Sequence, residues 1–553
     1  MGKLNRILTA NPRSAVYGAI QTAPTASGKT FEGGAGFARD PKSALFLLAV
    51  TNFVGEDTFY EDAKGRDTRY RDLVRQVAQL DPWWTYEMLV WLRDKANMRS
   101  ASIVGAAEFA YVHRDIVATA KVGDADALTV RRVIRDVLRR ADEPGEFLAY
   151  WLANYGRKLP KSVKRGLGDA ISQLYTEFNF LKWDSERNAV RFADVIEYSQ
   201  IKHHIGDETG LFKYILNHRH GRGEIPATLG MLHNNAQLRR IASENPAALL
   251  HFQNLKAAGL TWEDVLSIGG KAVDKKALWE AAIPTMAYFA LIRNLRNFDE
   301  AGISKEHRDQ VATLLTNPLN VEKSRLLPMR YLSAYNAIHN DFWKPVLDEA
   351  ATHALRNVPS LPGRTLVLVD TSSSMNAPFS NRPEKRGSST ERLMRWDVAT
   401  LFGIALGRAA NDADVVSFSG GMGGWYNRGS SDRDSIRFYM KTGENLLAAV
   451  DRFRRTHFIG GGTDTAAAVK RWYSKHDRVV IVTDEQAEYD HQSGVLNAIP
   501  ANVPVYTFNL AGYEHGHAAS GPNRYTVGGL SDGGFKMIQT LEDQQSGKWP
   551  WQS

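Results

Sequence analysis

Hydrophobic positions recur at helical spacing through most of the first 360 residues. Val130, Val133, Ile134, Val137 and Leu138 form one stripe at three- and four-residue spacing, which is typical of an amphipathic helix. The same spacing recurs over 163–174, and further helical stretches cover 70–93, 245–257, 277–297 and 327–339. No strict sequence repeat is present. The pattern therefore fits an α-solenoid of diverged HEAT-like repeats or an irregular helical bundle, and periodicity alone does not separate the two.

The pattern changes after the segment Pro359–Pro362. Short apolar runs at 365–370, 412–420, 478–484 and 503–510 predict strands, and helices are predicted at 392–410, 444–455 and 464–475. Strands that alternate with helices predict a parallel, doubly wound α/β sheet. We therefore expect a multidomain chain, with a helical domain over 1–362 and an α/β domain over 363–553. Sheets of this kind bind ligands at the carboxyl ends of their strands, beside the topological switch point.

Composition narrows the class of protein. A chain of 553 residues exceeds what one hydrophobic core usually supports. The absence of cysteine excludes disulfides, thiolate metal sites and cysteine nucleophiles. The longest apolar run, 44–50, is too short for a membrane helix, and the first residues lack the apolar core of a signal peptide. These features predict a soluble cytoplasmic protein without a membrane partner.

Polar residues lie in three loops at one edge of the predicted sheet. Two of these loops follow strands, and the third precedes a helix. Asp370, Ser372 and Ser374 form a D-x-S-x-S loop, Thr463 follows three glycines, and Asp484 ends the run at 478–484. A ligand set made only of oxygens suits Mg²⁺, Mn²⁺ or Ca²⁺ rather than Zn²⁺. Serine- and glycine-rich loops also simply end strands, but three such loops at one edge favour a divalent metal site.

The sequence contains few features that are typical of an enzyme. Glu485, Glu488 and Asp490 lie near Asp484, as a metal-dependent hydrolase would require, yet no histidine base or nucleophile elbow accompanies them. The segment 25–30 imitates a P-loop, but Ala23 stands where the first glycine belongs and no strand precedes it. The sequence predicts a protein that is not an enzyme.

The basic residues are concentrated in the helical part. The chain carries a net charge of +8, while residues 361–553 hold 21 basic and 20 acidic residues, so the excess lies before residue 361. Arginines over 131–140 lie off the apolar stripe, which fits a solvated helix face as well as a binding face. The segment 157–165 is more informative, because Pro160 suits the first position of a helix and places Lys161, Lys164 and Arg165 in and just beyond the first turn. Cations are unfavourable at this positive end of a helix, so they indicate a bound phosphate or other polyanion.

Four segments carry a resemblance to a known family: 45–63, LPKSVKRGLGDAI at 159–171, LIRNLRNF at 291–298 and MRYLSAYNAI at 329–338. Together with the sheet-edge motif, in this order, they resemble the TROVE family, typified by the Ro autoantigen and its bacterial orthologues. The likeness covers roughly residues 10–540. The α/β part resembles a von Willebrand factor A domain with its metal-ion-dependent adhesion site, in which the two serines ligate the cation directly and the threonine and aspartates act directly or through water.

The resemblance implies a ring of helical repeats closed by the A domain. It implies binding of Y RNA on the outer surface and of single-stranded 3′ ends of misfolded RNA in the central hole, with an exoribonuclease bridged through RNA. It places RNA contacts on Arg157, Lys158, Lys161, Lys164, Arg165 and Lys202. Gln200 stands where the family often has a histidine, and a polar insertion over 376–390 departs from the family near the metal site. A ring built from one chain favours a monomer.

These observations leave two functions open. The first is a non-enzymatic RNA-binding scaffold in RNA quality control or degradation. The second is a protein-interaction module in which the metal captures an acidic side chain of a partner and RNA binding is incidental.

Overall fold

The computed structural model shows a helical array followed by an α/β unit. The residues it describes are 27–29, 35–36, 38–51, 63–96, 98–114, 128–201, 210–324, 326, 328–338, 340–355, 358, 360–378, 394–420, 434–484, 499–500, 502–510, 524–528, 538, 542 and 549–552. A two-stranded antiparallel ribbon of β1 (Gly28–Lys29) and β2 (Ala35–Gly36) precedes the array.

The helical array is built from α1 (Pro41–Thr51), α2 (Ala63–Leu80), α3 (Pro82–Asp94), α4 (Arg99–Val112), α5 (Val130–Val137), α6 (Glu143–Tyr155), α7 (Lys161–Leu174), α8 (Glu177–Trp183), α9 (Phe192–Ser199), α10 (Leu211–Arg219), α11 (Gly230–Glu244), α12 (Phe252–Ala257), α13 (Trp262–Gly269), α14 (Lys275–Ala282), α15 (Tyr288–Ala301), α16 (Lys305–Thr316), α17 (Pro318–Ser324), α18 (Pro328–Ala337) and α19 (Trp343–Ala354).

The α/β unit contains β3 (Leu361–Asp370), α20 (Arg395–Ala409), β4 (Ala410–Phe418), β5 (Ser435–Phe438), α21 (Leu446–His457), α22 (Thr465–Trp472), β6 (Arg478–Thr483), β7 (Val505–Asn509) and β8 (Arg524–Gly528). β3 begins at Leu361, next to the predicted boundary.

The predicted apolar stripe of α5 is buried along its length, which confirms the helix predicted over 130–138. Three longer predicted helices are each interrupted. The stretch 70–93 divides between α2 and α3 at Asp81, which caps the N-terminus of α3, and Pro82 follows it. A short 3₁₀ turn containing Pro284 divides the stretch at 277–297. At these two breaks the reason is the same, since proline lacks the N–H that a continuous helix needs. The stretch at 245–257 consists of a 3₁₀ turn, Pro246–Leu250, and α12, which are separated at His251.

The six-stranded sheet has the order β5-β4-β3-β6-β7-β8. β3 pairs in parallel with both β4 and β6, and β7 and β8 continue the parallel set. The prediction of an entirely parallel sheet was wrong at one edge, because the short β5 pairs antiparallel with β4. From β3 the chain continues to β4 on one side of the sheet, and it later returns to β6 on the other side of β3. The topological switch point therefore lies between β3 and β6.

Alternate residues of β3 supply the two faces of the sheet. Leu366 and Leu368 pack in one apolar cluster with Val469 of α22, whereas Val367 and Val369 belong to the cluster that contains α20. Gly403 of α20 allows this approach, since a Cβ there would lie 2.6 Å from a methyl carbon of Val369. Helices therefore cover both faces, as doubly wound sheets require.

The α/β unit contacts both ends of the helical array. At one end, α18 and α19 pack against α20 and α21, and Asp348 of α19 accepts a hydrogen bond from the N–H of Leu447 at 3.0 Å. At the other end, α1 contacts β8. Trp549 and Trp551 also reach this end, where their rings pack on Phe46, Trp84 and, for Trp551, Trp91. No helix within the described ranges is long and apolar enough to cross a membrane.

Candidate metal centre and nucleic-acid interface

The sheet-edge residues come together at the switch point. Asp370 is the last residue of β3, and Asp484 directly follows β6, the neighbouring strand. Both carboxylates are fully buried. Because parallel strands end at the same edge of the sheet, residues separated by more than a hundred positions in sequence meet here.

Hydrogen bonds connect four of the five predicted metal ligands. The Ser372 N–H donates to Asp370 Oδ1 at 2.8 Å, and the hydroxyls of Ser372 and Ser374 lie 3.2 Å apart. The Ser374 hydroxyl donates to Asp484 Oδ1 at 3.3 Å. The second oxygen of Asp370 accepts a bond of 2.6 Å from the Thr483 hydroxyl. The oxygens of Asp370, Ser372, Ser374 and Asp484 thus form one linked set.

The glycine loop brings Thr463 to the same edge. Gly460 and Gly461 have φ values of +76° and +88°, which glycine adopts without strain. The Gly461 N–H donates to the Ser373 hydroxyl at 2.9 Å, and the Gly420 N–H donates to the Gly462 carbonyl at 2.6 Å. Thr463 is buried beside these contacts. The loop is therefore fastened both to the D-x-S-x-S loop and to the end of β4.

The site concentrates negative charge away from water. Burial, and then the neighbouring Asp484 carboxylate, raise the pKa of Asp370 to about 7. Two adjacent buried carboxylates are costly unless a cation compensates them.

Sequence reasoning missed Arg395, which supplies part of that compensation. Arg395 begins α20, is nearly fully buried, and places Nη1 at 3.2 Å from Asp484 Oδ2. The sequence signal was only a basic residue at a helix start, after the insertion and far from the motif. Its contact with Asp484 is a tertiary one.

The donor set fits a hard divalent cation in its chemistry. It offers two carboxylates and three hydroxyls, with neither sulfur nor imidazole. Within the described ranges no three His, Asp or Glu side chains form a metal-binding group, so a cation held at this edge would need hydroxyl ligands as well. Most of the insertion at 376–390, and Glu485, Glu488 and Asp490, lie outside the described residues.

The basic segment before and within α7 carries cations without partners. Pro160 is the N-cap rather than the first helical residue, so α7 begins one residue later than predicted, at Lys161; its N-terminus has no side-chain cap and no acid in its first turn. Lys161, Arg165, Arg157 and Lys158 are exposed and Lys164 is half-buried. None of these five forms an ion pair or hydrogen bond through its side chain with any part of the chain that the structure describes.

The arginines of α5 and of the residues just after it behave differently. Arg131 pairs with Asp169, Arg132 and Arg135 with Asp136, Arg139 with Asp94, and Arg140 with Asp142. Each of these five arginines already has a carboxylate partner. The structure therefore favours a solvated, ion-paired face for α5, whereas the cations before and within α7 have no such partner among the described residues.

Gln200 and Lys202 are the two remaining positions that the sequence prediction singled out. Lys202 lies outside the described residues. Gln200 caps the C-terminus of α9 in the left-handed conformation, with φ of +52°.

The fold and the two sites define a class of protein: a helical array whose ends both meet a doubly wound α/β unit, with an oxygen-rich sheet-edge site and a basic helix. Residues 254–411 match the family described as the TROVE domain, a range that runs past α19 into β3 and α20. This match confirms, for these residues, the TROVE resemblance found in the sequence.

A solved structure shares the architecture. The crystal structure of the Deinococcus radiodurans Ro (RSR) protein superposes with a TM-score of 0.58 over 91% of this chain and 99% of that chain, at 17% sequence identity. At this identity the match establishes a common fold.

Two curated relatives share one short segment. The telomerase protein component 1 of Mus musculus is 36% identical over 80 residues, and that of Rattus norvegicus is 34% identical over 80 residues. The match covers 14% of this chain and spans only 3% of the length of either relative.

Proposed function

We propose that this protein is a non-enzymatic RNA-binding scaffold, which binds Y RNA and the single-stranded 3′ ends of misfolded RNA in RNA quality control or degradation. The match of residues 254–411 to the TROVE domain, a family whose members bind noncoding RNA, supports RNA as the ligand. An exoribonuclease bridged through the RNA supplies the degradative activity in this proposal, and the protein acts as a monomer.

The observation that carries the proposal is the cluster of five cations at the start of α7. We call Arg157, Lys158, Lys161, Lys164 and Arg165 the α7 basic cluster. Free N–H groups at the N-terminus of a helix and nearby cations reinforce one another on a phosphate. A chain selected only for stability gains from acids in that turn, because cations there cost about 0.3–1 kcal/mol each.

The first prediction is that Lys161, Lys164 and Arg165, changed together to Ala, weaken RNA binding and flatten its dependence on salt. Each lost phosphate contact removes one counterion-release step. The negative slope of log K against log salt should therefore become less steep by about 2 to 3. Gel shifts of a tailed hairpin RNA across a salt series measure both quantities.

A matched control tests whether net charge alone is responsible. Lys271, Lys275 and Lys276 are exposed lysines around the start of α14, and the triple Ala variant of these residues removes the same charge. It should keep the wild-type slope. Equal slopes for all three proteins would overturn the assignment of the α7 basic cluster.

The sheet-edge site is proposed to hold Mg²⁺, with Mn²⁺ or Ca²⁺ as alternatives. Asp370, Ser372, Ser374, Thr463 and Asp484 would hold the cation, and the ion would neutralise the buried carboxylates and offer an open position to an acidic group. The linked oxygens and the two adjacent buried carboxylates, which Arg395 compensates only in part, support this role. The competing function, capture of an acidic partner residue with RNA binding incidental, rests on the same site and predicts that loss of Asp370 abolishes partner binding.

A further inference from the structure

An exposed tryptophan lies beside the ion-paired face of α5. Among the tryptophans in the described ranges, Trp83 alone is exposed, to 45%. It lies in the first turn of α3. A large aromatic surface left in water is costly, and such rings at a protein surface commonly serve recognition.

Neighbouring groups hold the Trp83 ring in place. Tyr86 meets it edge to face, with ring centroids 5.8 Å apart, and the Arg132 guanidinium lies 5.7 Å from its centroid. Arg132 in turn donates to the Tyr86 hydroxyl at 3.2 Å, and that hydroxyl donates to Asp136 at 2.9 Å. The ring is therefore positioned before any ligand arrives, which lowers the entropic cost of binding.

The Trp83 ring is connected to the α7 basic cluster through packed side chains. Arg131, next to Arg132, makes two hydrogen bonds to Asp169 of α7, at 2.5 and 2.7 Å. Asp169, Arg165 and Lys161 are four residues apart along α7 and share one face of that helix. The face from Lys161 to Asp169 spans about 12 Å. One surface thus carries phosphate-binding charge at one end and a fixed aromatic ring at the other.

We propose that Trp83 is a base-stacking site, which binds an unpaired base of an RNA whose phosphates contact the α7 basic cluster. This inference rests on the proposed RNA-binding function. It assigns to Trp83 the preference of the protein for unpaired over paired nucleotides. A base stacks on an indole face irrespective of sequence, and a flanking guanidinium adds a cation–π contribution. A base in a duplex has both faces covered and gains nothing from the ring.

The test compares two RNA hairpins, each closed by a polyethylene glycol linker in place of a nucleotide loop so that every base of the stem is paired: one carries a single-stranded 3′ tail and the other has a blunt end. Trp83→Ala should weaken binding of the tailed hairpin by about 5- to 100-fold, as expected for the loss of one stacked base. Binding of the blunt hairpin should change by less than about twofold, and Trp83→Phe should retain most of the affinity because it keeps an aromatic face. The salt slope of Trp83→Ala should equal that of the wild type, since no phosphate contact is removed.

Leu80→Ala is the matched control. Leu80 is a still more exposed apolar residue at the end of α2, but its aliphatic side chain offers no aromatic face on which a base could stack. It should bind both probes as the wild type does. Thermal melts of each variant confirm that the fold is intact. A Trp83→Ala protein that binds the tailed hairpin normally, or that loses both probes equally, overturns the stacking site.

Failure of this inference is distinguishable from failure of the proposed function. If the wild type binds neither probe, RNA binding itself is wrong. If the wild type binds and the α7 triple variant is impaired while Trp83→Ala is not, only the stacking site is wrong.

Discussion

At the scale of single residues, the sheet-edge site depends on how two carboxylates share one buried position. Asp370 is already bonded to Thr483 and to the Ser372 N–H, so it orients the serine loop as much as it offers a ligand. Asp484 is shared between Ser374 and the Arg395 guanidinium. An arriving cation therefore joins a charge that is already partly compensated, which favours moderate rather than tight metal binding.

The prediction at this scale concerns Asp370→Ala. Mg²⁺ should raise the thermal midpoint of the wild-type protein, because a ligand that binds only the folded state stabilises it, by about 2.7 kcal/mol at a hundred times the Kd. Asp370→Ala should remove this response, while Asp412→Ala, a change at an exposed aspartate of β4, should keep it. Differential scanning fluorimetry with Mg²⁺ and with EDTA measures the shift.

The same variant tests whether RNA binding is independent of the sheet-edge site. RNA binding by Asp370→Ala should match that of the wild type if the α7 basic cluster carries the affinity. Loss of RNA binding in this variant would show that RNA binding depends on the sheet-edge site and would contradict that role of the cluster.

At the scale of secondary-structure elements, helix ends decide where charge is tolerated. α7 begins with cations and no cap, while α21 begins against the buried carboxylate of Asp348, which belongs to α19. Burial raises the pKa of Asp348 above its ordinary value, and the backbone N–H groups at the start of α21 oppose that rise. One helix end is capped by a carboxylate from another helix, whereas the other begins with cations and has no side-chain cap among the described residues.

Asp348→Ala should therefore destabilise the protein. The change leaves buried N–H groups of α21 without an acceptor, which costs about 1–3 kcal/mol, and it should lower the thermal midpoint. Asp348→Asn should cost less because it keeps one oxygen acceptor. Asp341→Ala removes an almost fully exposed aspartate nearby and should leave the midpoint unchanged; an equal fall in both Ala variants would contradict the capping role.

At the scale of the whole molecule, contacts run without a break from α1 through the array to α19, into the α/β unit, and back to α1 through β8. Trp549 and Trp551 strengthen the last step. Their rings stack 5.6 Å apart, and Trp549 is buried against Phe46 and Trp84. The final residues of the chain thus help hold its first helices against the α/β unit.

We predict that changing Trp549 and Trp551 together to Ala loosens this end of the array. Replacing a buried tryptophan by alanine lowers the free energy of unfolding by up to about 3–5 kcal/mol. Hydrogen exchange should become faster in α1 and α3. Helix α16, which is more than 200 residues further along the chain, should exchange as in the wild type. Unchanged exchange in α1 and α3 would show that the two rings are not needed for closure.

Much of the architecture could be read from local pattern. The alternation of buried strands with helices predicted the sheet, and the stripe Val130–Leu138 predicted α5, since both depend on periodicity within a few residues. The breaks at Pro82, His251 and Pro284 were missed because the apolar pattern runs across them. The antiparallel strand β5 was missed because four residues between loops carry too little periodic signal.

The sequence by itself determined which residues offer chemistry: oxygen atoms at strand ends, a basic helix start, and an order of motifs that resembles the TROVE family. Tertiary structure alone decided which charges remain available, because ion pairing joins residues far apart in the chain. Among the described residues, it pairs the arginines over 131–140 with Asp94, Asp136, Asp142 and Asp169 and leaves the α7 basic cluster without an ion pair. It also brings Arg395 to Asp484 and exposes Trp83 while burying the adjacent Trp84. Local sequence sets the chemical type of a side chain, but its partners and its exposure to water are properties of the packed chain.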